Sequence, residues 1–198
     1  MAEKKAGLLE EIETRMEEKK TTPPTIVLVT SPQHTGKSTL IARYVELCRR
    51  HQIAVAGILA EGLWENNRRS GFNLVDLSSG IRVPLAFRRA EKSRAKIAFE
   101  FYAQGMHAGK RALDTDRCAT AALIVVDEVG KLEVMGQGWA TCLPALIELP
   151  AKTHIWAVRS TLVEPVAERW GFTPRAVVDA RAPDALNDLI DACGLFRG

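Results

Sequence analysis

The chain of 198 residues is long enough for one domain of ordinary size, and 46% hydrophobic with 26% charged residues is a globular composition. This balance excludes collagen-like and wholly disordered chains. The 27 Lys and Arg residues against 24 Asp and Glu residues leave a net charge of +3, which argues against extensive nucleic-acid contact.

The first predicted element is an amphipathic helix over residues 2–20. Its narrow apolar stripe consists of Leu8, Leu9, Ile12 and Met16. Pro23 and Pro24 follow it and cannot continue a helix. Because a short amphipathic helix is marginally stable alone, we expect this helix to dock on the core or on a protein partner. The predicted domains are therefore a helical appendage over 1–23 and one larger domain over 24–198.

From residue 25 onward, short β-branched apolar runs alternate with segments of helical periodicity. Strands are predicted at residues 25–30, 53–59, 121–126, 153–158 and 176–178. Helices are predicted from Leu40 to Arg50, mostly over 91–117 with a break near Gly105 and Gly109, near 138–148, near 163–170 and from 183. The runs 72–77 and 81–86 flank a short turn and predict an inserted β-hairpin. This alternation predicts a three-layer α/β domain with a mainly parallel central sheet.

The loop after the first strand carries a phosphate-binding motif. Residues 31–39 read Ser-Pro-Gln-His-Thr-Gly-Lys-Ser-Thr, which matches G-x-x-x-x-G-K-[ST] except that Ser31 replaces the first glycine. Gly36 lets successive N–H groups turn toward phosphate oxygens, Lys37 reaches the β- and γ-phosphates, and the Ser38 hydroxyl suits Mg²⁺. The predicted phosphate-binding residues are Gln33, His34, Thr35, Gly36, Lys37, Ser38 and Thr39.

Two adjacent carboxylates follow the apolar run 121–126. In parallel α/β sheets, ligands bind at the carboxyl ends of strands, so these side chains are expected to face the phosphate loop. Asp127 is the predicted Mg²⁺ ligand together with Ser38, and Glu128 is predicted to polarise the water that attacks the γ-phosphate. A solvated acidic turn is the alternative interpretation of this pair.

Together, the phosphate loop, the segment Arg68–Leu74, Val126–Glu133 and Trp156–Arg159 resemble a family. It is the nucleoside-triphosphatase family first described in thermophiles and also found in humans. The resemblance implies a RecA-like P-loop NTPase fold and slow Mg²⁺-dependent hydrolysis of NTPs with broad base tolerance. It implies that Lys37 and Ser38 bind phosphate and metal, that Asp127 binds metal and that Glu128 binds water. The sequence DEVGKLE after the strand is its most specific element.

Several cationic and aromatic residues are further candidates. Arg159 ends a predicted strand and therefore belongs to the same rim as the carboxylates, where it is predicted to be catalytic with Lys37 and Glu128. Arg68 or Arg69 can bring a guanidinium to the γ-phosphate, or both are surface residues of a loop. Lys131 can cover the phosphates or cap a turn. Trp64, in an expected loop over 61–67, is a candidate base-stacking platform.

Segment 82–96 concentrates positive charge, with six basic residues and one acid. It is interpreted as a lid over an anionic substrate, a docking face for RNA, DNA or an acidic partner, or a solvated helix face. The four cysteines, Cys48, Cys118, Cys142 and Cys193, lie far apart and show no metal-ligand spacing. With no secretory signal and no membrane-length apolar run, these features predict a cytoplasmic protein.

Three functions remain open. The leading one is a Mg²⁺-dependent nucleoside-triphosphatase that hydrolyses ATP, GTP and other NTPs to NDP and phosphate. The second is a P-loop kinase, in which segment 82–96 binds a small-molecule or polynucleotide acceptor and Glu128 activates its hydroxyl group. The third is a nucleotide-gated adapter with weak hydrolysis that binds a partner through residues 2–20.

Overall fold

The computed structural model describes residues 22–32, 35–89, 98–150 and 152–196. The predicted N-terminal helix over 2–20 lies outside the described residues. So do Gln33, His34 and residues 90–97, which include the second half of the basic segment.

Eight strands in the described part of the chain form one sheet in the order β5-β4-β3-β2-β6-β7-β1-β8. The strands are β1 (Thr25–Ser31), β2 (Val55–Glu65), β3 (Arg68–Asp76), β4 (Arg82–Arg88), β5 (Phe99–Phe101), β6 (Leu123–Val129), β7 (Thr153–Arg159) and β8 (Ala176–Asp179). The strand pairs β2–β6, β6–β7, β7–β1 and β1–β8 are parallel. The pairs β2–β3, β3–β4 and β4–β5 are antiparallel. The prediction of a mainly parallel central sheet is confirmed.

Seven α-helices are present among the described residues. They are α1 (Lys37–Arg50), α2 (Ala103–Ala112), α3 (Thr115–Ala119), α4 (Lys131–Val134), α5 (Leu143–Ile147), α6 (Val163–Trp170) and α7 (Ala185–Cys193). None of the helices in these ranges is long and apolar enough to cross a membrane.

The core has two parts, one on each face of the sheet. Along β6, Leu123 and Val125 pack into the part that α1 and α7 complete, while Ile124 and Val126 pack into the part with α2, α3, α5 and α6. Successive side chains of a strand point to opposite faces, so a continuous apolar run is required where both faces are covered. The three-layer arrangement predicted from the apolar runs is therefore present.

Segment 91–117 differs from its predicted form. Residues 99–101 are the edge strand β5, paired antiparallel with β4, and not part of a helix. The helix α2 passes through Gly105 and Gly109 without a break, and the chain leaves helical structure only at Leu113 and Asp114. Both glycines are needed for packing because the main chain of β4 and the Trp139 ring leave no space for a Cβ.

The β2 strand is longer than the apolar run that predicted it. It continues through Glu65 and turns at Asn66 and Asn67, which both have positive φ, into β3. The expected loop over 61–67 was therefore wrong, and two consecutive hairpins replace the single predicted one. The predicted helix near 138–148 is also shorter, since only Leu143–Ile147 are helical within it.

His154 is a fully buried polar residue of β7, opposite Ile26 of β1 and Ile124 of β6. Neither ring nitrogen has a hydrogen-bond partner among the described residues. Burial, together with the charge of Lys152, lowers the pKa of His154 to about 4 because protonation would place a charge in an apolar layer.

This environment predicts an acid-sensitive fold. The unfolded chain binds a proton at His154 below pH 6.5, whereas the folded chain binds it only near pH 4. The free energy of unfolding therefore falls by up to about 3 kcal/mol as the pH is lowered from 6.5 to 4. Urea unfolding from pH 7 to pH 4.5 should show a smaller loss in His154→Leu than in the wild type. The exposed His107 provides the control, His107→Gln. Equal pH dependence in the wild type and His154→Leu would contradict the assignment.

Candidate functional site

The start of α1 presents backbone N–H groups at the carboxyl edge of the sheet. Helix α1 begins at Lys37, directly after Gly36, whose φ of 95° and ψ of 2° place it in the left-handed region. Glycine adopts this conformation without the strain that a Cβ would add. The first N–H groups of α1 have no partner within the helix and carry its positive dipole end, which suits phosphate.

Ser31 stands where the motif has its first glycine, and its side chain is fully buried within the loop. The Ser31 hydroxyl donates to the Pro32 carbonyl oxygen at 3.0 Å, and the Thr35 Oγ1 lies 2.6 Å from both the Ser31 Oγ and that carbonyl oxygen. The Lys37 Nζ donates to the same carbonyl at 3.4 Å. The serine therefore adds hydrogen bonds that link the end of β1 to Thr35, and the lysine ammonium lies beside the Pro32 carbonyl.

A β-bulge in β6 places both predicted carboxylates at this edge. Val126 pairs with Trp156 and Val129 with Val158, so that Asp127 and Glu128 together oppose one residue of β7. Glu128 has a φ of 61°, which is unusual for a residue other than glycine. Bulges of this kind change the direction of side chains and are frequent beside functional sites.

Asp127 is buried and anchored. Its Oδ2 accepts from the Ala60 N–H at 3.0 Å, its Oδ1 accepts from the Glu128 N–H at 2.8 Å, and the Ser38 hydroxyl also bonds it. Burial raises the pKa of Asp127, and these hydrogen bonds together with Lys37 oppose that effect. The carboxylate thus connects the neighbouring strand β2 with the start of α1.

Glu128 occupies the opening of the site and remains accessible to solvent. The surrounding protein atoms and the Asp127 carboxylate nevertheless raise the pKa of Glu128 to about 7, while Lys37, Arg159 and Arg69 lower it. A carboxylate with a pKa near neutrality is well matched to accept a proton at physiological pH.

Three cationic side chains from three elements surround this carboxylate pair. Lys37 begins α1, and partial burial lowers the pKa of its ammonium while Glu128 and Asp127 raise it. Arg159 ends β7, where it pairs in register with Ser31 of β1. Arg69 lies on β3, and its charge interacts with both carboxylates. The site therefore combines two carboxylates with three cations at one edge of the sheet.

The sequence DEVGKLE contains the end of β6 and the turn that follows it. The buried Glu133 carboxylate accepts from the Gly130 N–H at 2.8 Å and from the Trp139 N–H at 3.2 Å. A Cβ at Gly138 would lie only 2.0 Å from Glu133 Oε1, so the carboxylate packs directly on that backbone. Glu133 thus fixes the segment that follows Glu128, a role that the sequence analysis missed. A carboxylate three residues after Gly130 is the spacing of a capping box and was the available signal.

The structure brings Lys37 and Ser38, at the start of α1, together with Asp127, Glu128 and Arg159 at strand ends. Thr35 and Gly36 belong to the same loop, and Thr39 lies exposed in the first turn of α1.

Other candidates have different surroundings. Lys131 is exposed at the start of α4. Trp64 is also exposed, but its ring stacks on the Arg69 guanidinium at 4.4 Å, so this face is unavailable to a base.

The described part of the basic segment is largely engaged within the fold. Arg82 forms an ion pair with Glu61 at 3.0 Å, and Arg89 forms one with Glu100 at 3.2 Å. Up to Arg88 the segment is the strand β4, which agrees with the predicted hairpin strand over 81–86, and residues 90–96 lie outside the described residues. In the described ranges, no cluster of three or more His, Cys, Asp and Glu residues could hold a metal ion.

The fold and the edge site define a P-loop protein of the α/β class, with the phosphate loop after β1 and the acidic pair on β6. A family model described as NTPase matches residues 26–178. The chain belongs to this NTPase family, which confirms the resemblance drawn from the motifs.

Curated relatives and solved structures agree with this assignment. The cancer-related nucleoside-triphosphatase homolog of Bos taurus is 28% identical over 151 residues, which are 71% of this chain and 78% of that protein. The nucleoside-triphosphatase THEP1 of Archaeoglobus fulgidus is 33% identical over 108 residues, 54% of this chain and 62% of that protein. The solution structure of a human cancer-related nucleoside triphosphatase superposes with a TM-score of 0.66 at 22% identity, covering 88% of this chain and 100% of that one. This last likeness supports the fold.

The positive φ of Glu128 predicts that this residue lowers the stability of the fold. Glu128→Gly should unfold with a free energy about 1 kcal/mol higher than Glu128→Ala, because only alanine keeps a Cβ in the left-handed region. Both variants remove the charge beside Asp127, so their difference isolates the backbone effect. Urea denaturation at pH 7 measures it. Equal stabilities would show that the bulge imposes no strain at this position.

Proposed function

We propose that the protein hydrolyses nucleoside triphosphates to nucleoside diphosphates and phosphate in a Mg²⁺-dependent reaction. The observation that carries this proposal is that two adjacent carboxylates have different surroundings. Asp127 is buried and bonded to the Ser38 hydroxyl, whereas Glu128 opens into the site with a raised pKa. One is suited to hold a cation and the other to hold a water molecule. The names of the curated relatives support the same activity.

Phosphate binding falls to the loop and the start of α1. The backbone N–H groups from Thr35 onward would surround the β- and γ-phosphates, and the Lys37 ammonium would exchange its bond to the Pro32 carbonyl for the phosphate oxygens. Arg159 stands beside Lys37 at the end of the neighbouring strand. These cations would offset the negative charge of the triphosphate close to the two carboxylates.

The donor set fits Mg²⁺. Asp127 and Ser38 supply a carboxylate and a hydroxyl oxygen that interact with each other, and Mg²⁺ in phosphate sites takes one or two such ligands together with waters and phosphate oxygens. The ion would neutralise charge on the β- and γ-phosphates. Asp127 is fixed for this purpose by the Ala60 N–H at 3.0 Å.

Glu128 would orient the attacking water and receive its proton. The water oxygen forms a bond to the γ-phosphorus, the bond from that phosphorus to the bridging oxygen breaks, and the diphosphate leaves with the bond electrons. The pKa of Glu128, raised to about 7, makes its carboxylate basic enough for this transfer. The positive φ at this residue directs the side chain into the opening instead of into the sheet.

The test is phosphate release from ATP, GTP, CTP and UTP with Mg²⁺ or with EDTA. The wild type should release phosphate from each nucleotide with Mg²⁺ and from none with EDTA. Glu128→Gln should lower turnover by at least about 100-fold, with nucleotide affinity retained, since the amide cannot accept the proton. Lys37→Ala should lose both turnover and binding. The exposed Glu168 provides a matched control, Glu168→Gln, which should behave as the wild type.

Three outcomes would contradict the proposal. Wild-type turnover in Glu128→Gln would remove this residue from the reaction. Phosphoryl transfer that occurs only when an alcohol or polynucleotide acceptor is added would favour the kinase alternative. Unchanged nucleotide affinity in Lys37→Ala would overturn the role of the phosphate loop itself.

A further inference from the structure

Arg69 of β3 is a half-buried cation whose guanidinium is enclosed by two aromatic rings. Its Cζ lies 4.4 Å from the centre of the Trp64 ring and 4.9 Å from that of the Phe72 ring. Stacking of this kind fixes the plane of a guanidinium while its N–H groups stay directed outward in that plane. The side chain is thus held in place without using all of its donors.

The opposite strand of the hairpin leaves space for this guanidinium only because residue 62 is glycine. A Cβ at Gly62 would lie 1.8 Å from the Arg69 Nη1. The Arg69 backbone is also fixed, since the Arg88 guanidinium donates to the Arg69 carbonyl oxygen at 2.6 Å. The side chain and the backbone of Arg69 are therefore both constrained by residues other than Asp127 and Glu128.

This constrained guanidinium lies beside the carboxylates. Gly62 follows Ala60 by two residues, roughly 7 Å along β2 and on the same face, and the Ala60 N–H is bonded to Asp127. The charge of Arg69 interacts with both Glu128 and Asp127. Its Nε is buried and has no hydrogen-bond partner among the described residues. A buried donor without a partner, next to an acidic site, is a group poised for an anionic ligand.

We propose that Arg69 is a catalytic residue that donates to the γ-phosphate of the bound triphosphate and stabilises the charge that develops there as the terminal P–O bond breaks. This inference rests on the proposed hydrolysis. Held between Trp64 and Phe72, the guanidinium is arranged before the substrate binds, so that little reorganisation is needed during reaction. The chain supplies this arginine itself, from its own hairpin.

The neighbouring arginine provides a control within the same strand. Arg68 precedes Arg69 by one residue, so its side chain starts from the opposite face of β3, and it is exposed. Arg69→Ala should lower kcat about 100- to 1000-fold while the Kd for NDP changes less than about threefold, because the lost contact is to the γ-phosphate. Arg68→Ala should leave both values within about threefold of the wild type. Arg69→Lys should recover little of the kcat lost in Arg69→Ala, because an ammonium group is not planar and cannot stack between the rings.

Gly62→Ala tests the geometry without removing the charge. The added methyl group must displace the Arg69 guanidinium, so kcat should fall at least about tenfold while thermal unfolding confirms that the variant is folded. The double variant Gly62→Ala, Arg69→Ala should be no slower than Arg69→Ala alone, because the two changes act on the same group.

A binding measurement gives a readout besides turnover. NDP with Mg²⁺ and fluoroaluminate imitates the transferring phosphoryl group, and its tighter binding relative to NDP alone should disappear in Arg69→Ala. If the wild type hydrolyses NTPs while Arg69→Ala keeps its turnover and this tighter binding, the role of Arg69 is overturned and the proposed function stands. If the wild type releases no phosphate from any nucleotide, both are overturned.

Discussion

The bulge at Asp127 and Glu128 determines what the carboxyl edge of this sheet can do. In a regular strand, two consecutive side chains point to opposite faces, so one of these carboxylates would enter an apolar layer. Here both residues oppose a single residue of β7, and the positive φ of Glu128 turns its side chain toward the opening. Asp127 instead turns inward to the Ala60 N–H. Two carboxylates adjacent in sequence thereby acquire different surroundings and different chemistry.

Placing two carboxylates this close has an electrostatic cost that the rest of the site offsets. Lys37, Arg159 and Arg69 approach from α1, β7 and β3, and each lowers the pKa of Glu128 against the effect of burial and of Asp127. Two of these cations are themselves held in place, Lys37 by the Pro32 carbonyl and Arg69 by aromatic rings. The site is therefore ordered by contacts within the chain. Such preorganisation is a main source of transition-state stabilisation in phosphoryl transfer.

The sequence was sufficient for the parts of the site that depend on local pattern. An apolar run that ends in two carboxylates identifies Asp127 and Glu128, and the Gly-Lys-Ser triplet after another run identifies Lys37. It was insufficient where long-range pairing decides. The extension of β2 through Glu65 and the short strand β5 form because antiparallel neighbours supply their hydrogen bonds. The hydrophobic periodicity of a segment does not show which strands will pair with it.

Adjacent residues of one type show the same limit. Arg68 and Arg69 are equivalent candidates in the sequence, and only the strand register places one of them over Gly62 and between two rings. The function of Glu133 likewise depends on the Trp139 N–H, which is brought to it by the turn after α4. These features depend on contacts between different helices and strands, so the sequence alone does not predict them.

A structure of the protein with Mg²⁺, NDP and fluoroaluminate bound would test the division of labour between the two carboxylates most directly. The account predicts that the Glu128 carboxylate contacts the water in line with the departing diphosphate, with Asp127 and Ser38 on the side of the metal. It also predicts that the bulge of β6 persists in that complex. A water held by Asp127, or a Glu128 side chain turned away from the site, would contradict it.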